Sequence, residues 1–453
     1  MKYKQEIHEY INAHKDEITK TLKEIIKIPS IRGEAEVGAP FGKACADVLE
    51  HIKRLYEKNG FESELDAEGG YLLSYFGEGE VSLGLFAHAD VVTVGDDWIY
   101  TKPFEPLLKD GFLIGRGALD DKSAVVISLY CAKILKELNI PFNSRLVMFT
   151  GANEESGMAD IGAYTKKHKA PDFSIVADTA FPLYRGDKGY LRFVATSGKR
   201  MQNISDFGGG RAINIILGEA VAKIGNEAYI EKGISRHGAL PEGSQNAAFL
   251  LSKKLAENDS LCESDRAEMR FIANTLEKYY GEVFVIENND PDFGRLTCTN
   301  GIAQMNEGKI SLSFDLRYGK SIDIEAVKES VIKYFAENGW SVEFVDGVAP
   351  WLVAKDIPYL KACLKAYEEI TGRENSPTYV NAGATYGAHL PCAVEVGPQI
   401  WQPLSFNMPS GHGGAHQPDE YISIDGMLEA LDITVNMLLE CDKTALYKEG
   451  KKC

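Results

Sequence analysis

Nowhere in this sequence do eighteen apolar residues follow one another, so no segment has the character of a membrane-spanning helix. The opening stretch, MKYKQEIHEYINAHKDEITK, lacks the apolar centre of a secretion signal and reads as a helix. The expected location is therefore the cytoplasm. Positive charge is scarce: Lys and Arg total 49 against 66 Asp and Glu, a net charge of −17. That balance excludes a nucleic-acid partner, which needs a basic face, and adsorption to an anionic membrane. Paired cysteines are missing too. Cys45, Cys131, Cys262, Cys298, Cys363, Cys392, Cys441 and Cys453 are scattered, with no CxxC among them. A cysteine-rich zinc site and a disulfide framework both lose support, and the eight read as small core residues or surface thiols.

The remaining composition is that of a globular chain, with 44% hydrophobic and 25% charged residues. Its 453 residues suit two or three domains. Ile7, Ile11, Ile18, Leu22, Ile25 and Ile26 recur near a helical period, and Pro29 ends the run. A second helix is predicted over 41–58, then short strands over 61–66, 71–75 and 81–87. Further along come a helix over 122–137, a buried strand in SRLVMFTG, a helix over 159–168 and the strand FSIVAD. Strands alternating with helices predict an α/β layered domain with a mixed, mostly parallel sheet. The pattern changes near Tyr190. Residues 191–354 mix short strands with two helices, near 245–257 and 324–338, and read as an inserted α+β lid. The first domain, 1–190, would resume over 355–453 and close with a helix near 425–440. The final KEGKKC reads as a solvated tail.

In the stretch GLFAHADVV, the apolar run ends in His88, Ala89 and Asp90. Positions i and i+2 of a strand share a face, so imidazole and carboxylate should lie side by side. An isolated pair of this kind is most often a strand end with a solvated acid. The sharper alternative is a metal-binding histidine oriented by a carboxylate. Sites in such sheets lie at the carboxyl ends of the strands. The next ends carry Asp120 and Asp121, then Glu154 and Glu155, then Asp178. So many acids converging on one edge require cations. Carboxylates with imidazole and no thiolate suit zinc or manganese. The acids exceed the needs of one ion, which suggests two, about 3.5–4 Å apart. A second histidine would come from His389, His412 or His416; His416 sits in the glycine-rich GGAHQPDE and is favoured.

AHADVV, GRGALDDK, NEES, VAD, HGALPEGSQNA, DLRY, GATYG and AHQPDE follow one another in this order. Together they resemble the di-zinc metallopeptidase family of carboxypeptidase G, succinyl-diaminopimelate desuccinylase and the carnosinases. IPSIRGEAEVGAPFG and FPLYRGDKGY most resemble its bacterial dipeptidase V branch. The resemblance implies a zinc-peptidase fold and two divalent ions, zinc with manganese or cobalt as alternatives. His88 and Asp178 would bind one ion, Glu155 and His416 the other. Asp120 would bridge them, in a cis peptide with Asp121. Asp90 would orient His88, and Glu154 would be the general base. His237 would steady the oxyanion. Asn214, Arg317 (through a carboxylate fork), Gly383 and Thr385 would contact substrate. Asp187 is a weaker candidate for a substrate ammonium, against a solvated turn acid. The chain departs from the family pattern at Thr93 and Asn153 and in NIILGEA, and the 23 positions from Asn214 to His237 are few. The expected activity is hydrolysis of dipeptides with a free amino end, by a monomer or homodimer. An N-acyl amino acid deacylase or desuccinylase and a non-catalytic metal-binding relative are the alternatives.

Overall fold

The computed structural model describes residues 2–446. The tail KEGKKC lies outside the described residues. The chain forms two compact units. One comprises residues 1–186, 352–381 and 385–453, the other 187–351 and 382–384.

The first unit is built on a mixed sheet. Its strands run in the order Glu62–Asp66, Tyr71–Phe76, Arg145–Gly151, Ser82–His88, Phe173–Val176, Ala393–Glu395 and Tyr184–Asp187. Parallel pairing is confined to the centre, from Arg145–Gly151 to Ala393–Glu395. The flanking pairs are antiparallel. The central strands are covered on both faces, which is why they read as continuous apolar runs. Helix Lys122–Glu137 packs on Ser82–His88 and Arg145–Gly151 and against the long helix Ile424–Leu446. Its residues from Lys122 to Leu135 are all buried. The N-terminal periodicity belongs to two helices, Lys4–Ala13 and Lys15–Ile26, kinked at His14. The apolar face continues through the kink, so the period alone could not reveal it. His14 Nδ1 donates to the Tyr10 carbonyl at 2.8 Å, and its ring stacks on Tyr10.

The second unit has a seven-stranded antiparallel sheet that includes Gly189–Ser197, Thr297–Asn306 and Lys309–Tyr318. The last two are ten residues each, longer than the short strands expected. Phe193, Phe284, Phe314 and Phe335 centre its core. It carries three helices rather than two: Ala247–Ala256, Glu263–Leu276 and Ile324–Glu337. The second was missed because acids occupy its buried face. Asp265 accepts the backbone N–H groups of Gln202 and Asn203, and Glu268 accepts from the Trp340 indole at 2.6 Å. Periodicity counts both as solvent-facing. Among the described residues no helix is long and apolar enough to cross a membrane. Cys45, Cys131, Cys298, Cys363 and Cys441 are buried free thiols, as small core residues should be, and Cys262 is a half-buried one.

Candidate active site

Strand Ser82–His88 delivers His88 at its last position, 1% exposed. Because the strand stops there, the alternation expected to align Asp90 does not continue. His88 Nδ1 donates to the backbone carbonyl of Asp90 at 3.0 Å, and the Asp90 carboxylate stands 3.4 Å away. That carboxylate accepts instead from the N–H groups of Glu154 at 3.1 Å and Glu155 at 3.2 Å. One aspartate thus fixes both the imidazole and the glutamate turn. With Nδ1 as donor, Nε2 of His88 faces Asp120 at 3.1 Å and Asp178 at 3.8 Å. His416 Nε2 lies 2.9 Å from Asp120 and 3.1 Å from Glu155. Asp120 therefore stands between the two imidazoles, and its peptide bond to Asp121 is cis.

Ligand atoms of His88, Asp120 and Glu155 lie within 4.8 Å of one another, as do those of His88, Glu154 and Asp178. Electrostatics expose the problem this creates. Burial, then the charge of Asp178, pushes the Glu154 carboxyl well up, and burial with Asp120 pushes Glu155 up to about 7. Burial also raises Asp178. Burial opposes charge on His416, yet its bonds to Asp120 and Glu155 push it up to about 11. In the same way Asp120, Asp178 and Asp90 overcome burial and hold His88 well above 6.5. The cluster takes up positive charge wherever it can. Oε1 of Glu155 is buried with no hydrogen-bond partner among the described residues. Nitrogen and oxygen donors, surplus negative charge and an orphaned carboxylate oxygen together fit divalent cations.

Residues behind the cluster escaped the sequence reading. Buried Glu420 pairs with buried Arg116 at 2.6 Å and accepts the N–H groups of Leu119 and Asp120 at 2.9 and 3.0 Å. Arg116 also donates to the carbonyl of His416, whose φ of 65° lies in the left-handed region. Asp160 and Tyr386, both buried, are joined by a hydrogen bond from the Tyr386 hydroxyl to the Asp160 carboxylate. GRGAL and HQPDE flagged the neighbourhood of Arg116 and Glu420, but no local spacing joins them. His412 is bonded to Asp419 at 2.7 Å, and His389 sits in a short turn, Tyr386–His389.

Asn214, His237, Arg317 and Gly383 belong to the second unit, and Thr385 to the first. Asn214 and His237 are neighbours: Gly238 N–H donates to the Asn214 carbonyl at 2.7 Å, and Ile215 bridges His237. His237 Nδ1 accepts from the Ala239 N–H at 3.2 Å, which leaves the proton of a neutral ring on Nε2. The guanidinium fork of Arg317 is taken by Asp315, at 3.0 Å from Nε and from Nη2, and Nη1 donates to the Ala382 carbonyl. Thr385 is buried; its hydroxyl donates to Glu395 and accepts from the Gly387 N–H. Asp187 is buried rather than solvated and accepts from the Trp351 indole at 2.8 Å.

Comparison with known proteins gives this arrangement its context. The family model described as Peptidase family M20/M25/M40 matches residues 84–440, a span that holds His88, Asp120, Glu154, Glu155, Asp178 and His416. The chain belongs to this family. As a member it is a hydrolase acting on peptide bonds. Putative dipeptidase YtjP of Bacillus subtilis is 28% identical over 95% of this chain and 98% of its own. A putative dipeptidase of Staphylococcus epidermidis is 26% identical over 95% and 97%. Among solved structures, human carnosine dipeptidase 1 is similar with a TM-score of 0.65 and 16% identity, over 97% of this chain and 99% of that one. A tripeptidase of Staphylococcus aureus gives 0.61 and 14%, over 95% and 99%. The Bacillus subtilis YXEP protein, a dinuclear metal-binding peptidase, gives 0.55 and 10%, over 96% and 99%. At these identities the structures establish the shared fold.

Proposed function

We propose that this peptidase is a cytoplasmic dipeptidase that acts on substrates with a free amino terminus and uses two divalent metal ions. The observation that carries the proposal is Asp120, set between His88 and His416 with Glu155 and Asp178 on either side. His88 and Asp178 would hold one ion, Glu155 and His416 the other, and Asp120 both. Zinc suits this donor set, with manganese and cobalt as alternatives. Bound there, the ions would polarise the scissile carbonyl and make water a nucleophile at neutral pH.

The chain's own residues supply the rest. Glu154, grouped with His88 and Asp178 at the cluster, takes a proton from the attacking water and returns it to the leaving amine. Asp90 holds the N–H of Glu154 and so sets where that carboxylate starts. His237 would steady the developing oxyanion through its imidazole. Asn214, Arg317, Gly383 and Thr385 would contact substrate, with Arg317 fixed beforehand by Asp315. The dipeptide preference draws support from the putative dipeptidases that match nearly the whole chain.

The test is kcat/KM for a dipeptide, its tripeptide extension and its N-acetyl form, with zinc, manganese or cobalt restored to chelated enzyme. The dipeptide should lead by at least tenfold, because a lost ammonium or a displaced charge leaves a desolvated group unpaired. Equal rates for the dipeptide and its N-acetyl form would favour a deacylase.

A further inference from the structure

Four consecutive peptide N–H groups, those of Ala152, Asn153, Glu154 and Glu155, are all received by buried carboxylates. Asp90 takes the last two. Asp160 takes the first two through Oδ2, at 2.8 Å each, and its Oδ1 accepts the N–H of Ile161 at 2.8 Å. A fourth donor comes from far along the chain: Tyr386 Oη donates to the same Oδ2 at 2.5 Å. Asp160 is 0% and Tyr386 1% exposed. Tyr386 also packs its ring on Phe149, within the strand that leads into the turn. Room for this closure depends on Gly151. A Cβ there would sit 1.9 Å from Tyr386 Oη and 2.3 Å from Asp160 Oδ2.

We infer that Asp160, braced by Tyr386, is a positioning residue for the general base Glu154. The inference rests on the reading of Glu154 given above. Asp160 touches neither Glu154 nor the proposed metal ligands. It fixes the two peptides that lead into Glu154, as Asp90 fixes the two that follow. It also assigns work to a residue of GATYG that faces away from solvent: Tyr386 braces the turn. A base displaced by about 1 Å loses on the order of 10²-fold in rate. Binding of substrate is not thereby weakened, so the loss belongs in kcat.

The experiment uses the full chain loaded with zinc, as wild type, Asp160→Asn, Tyr386→Phe and Glu154→Gln. Steady-state kcat and KM are measured with a dipeptide, together with zinc content. Amide hydrogen exchange over residues 151–156 is followed in the metal-free chain. Asp160→Asn should lower kcat by about 10–100-fold, keep KM within about twofold and keep the zinc content. Exchange at Ala152 and Asn153 should accelerate, and Tyr386→Phe should show the same pattern more weakly. Wild-type kcat in folded Asp160→Asn overturns the inference, even if its thermal midpoint falls. If Asp160→Asn does not fold, Tyr386→Phe decides: lower kcat at constant KM supports the brace, and unchanged kcat overturns it. An active Glu154→Gln overturns the base assignment itself and the brace with it. An inactive Glu154→Gln beside a fully active Asp160→Asn removes the brace alone.

Discussion

Glu154 and Glu155 are adjacent in sequence and open the same short turn, yet their surroundings differ. Glu155 meets His416 at 3.1 Å, while Glu154 groups with His88 and Asp178. If Glu155 is the ligand and Glu154 the base, their amide substitutions must separate. Glu154→Gln should keep two metals per chain and lose about 10²–10⁴-fold in kcat. Glu155→Gln should lose metal. Elemental analysis of both variants checks this, and the opposite pattern would exchange the two roles. At this scale the candidate site was largely legible. His88, Asp120, Glu154, Glu155, Asp178 and His416 stand out because each ends a strand, follows one within a few residues or sits in a glycine-containing loop, where chemistry and sequence position coincide. Asp160, Tyr386 and Glu420 do not. Their partners lie up to 304 residues away, and nothing local in the chain distinguishes a buried acid that receives backbone N–H groups from a solvated one.

Between elements, the Arg116–Glu420 pair ties the segment that presents Asp120 to the loop that presents His416. Its carboxylate is wholly enclosed, so the pair is best judged by removing one member. Arg116→Met should cost about 3–5 kcal/mol in unfolding free energy, because it strands a buried charge. Denaturant titration of the metal-free chain measures this; a loss below 1 kcal/mol would mean that Glu420 becomes neutral or reaches water. The same contrast governs how well elements were read. Central strands and the helix Lys122–Glu137 announced themselves through continuous apolar residues, since both are covered all round. Helix Glu263–Leu276 did not, because Asp265 and Glu268 lie on its inner face. Periodicity detects burial only where burial is apolar.

For the molecule as a whole, metal should act as a ligand of the folded state alone. An ion present at 100 times its dissociation constant adds about 2.7 kcal/mol to stability. Chelation should therefore lower the thermal midpoint as well as stop turnover, and restored zinc should recover both. An unchanged midpoint after complete metal removal would contradict a site at the heart of the first unit. That unit is also discontinuous in sequence, drawn from 1–186, 352–381 and 385–453. Four of the proposed metal ligands are in hand by Asp178, whereas His416 arrives only after the entire second unit has been threaded through. Synthesis therefore has a built-in order. A nascent chain carries its acids and first imidazole for more than two hundred residues before the second imidazole leaves the ribosome, and a chain that stops short of it holds an unfinished centre.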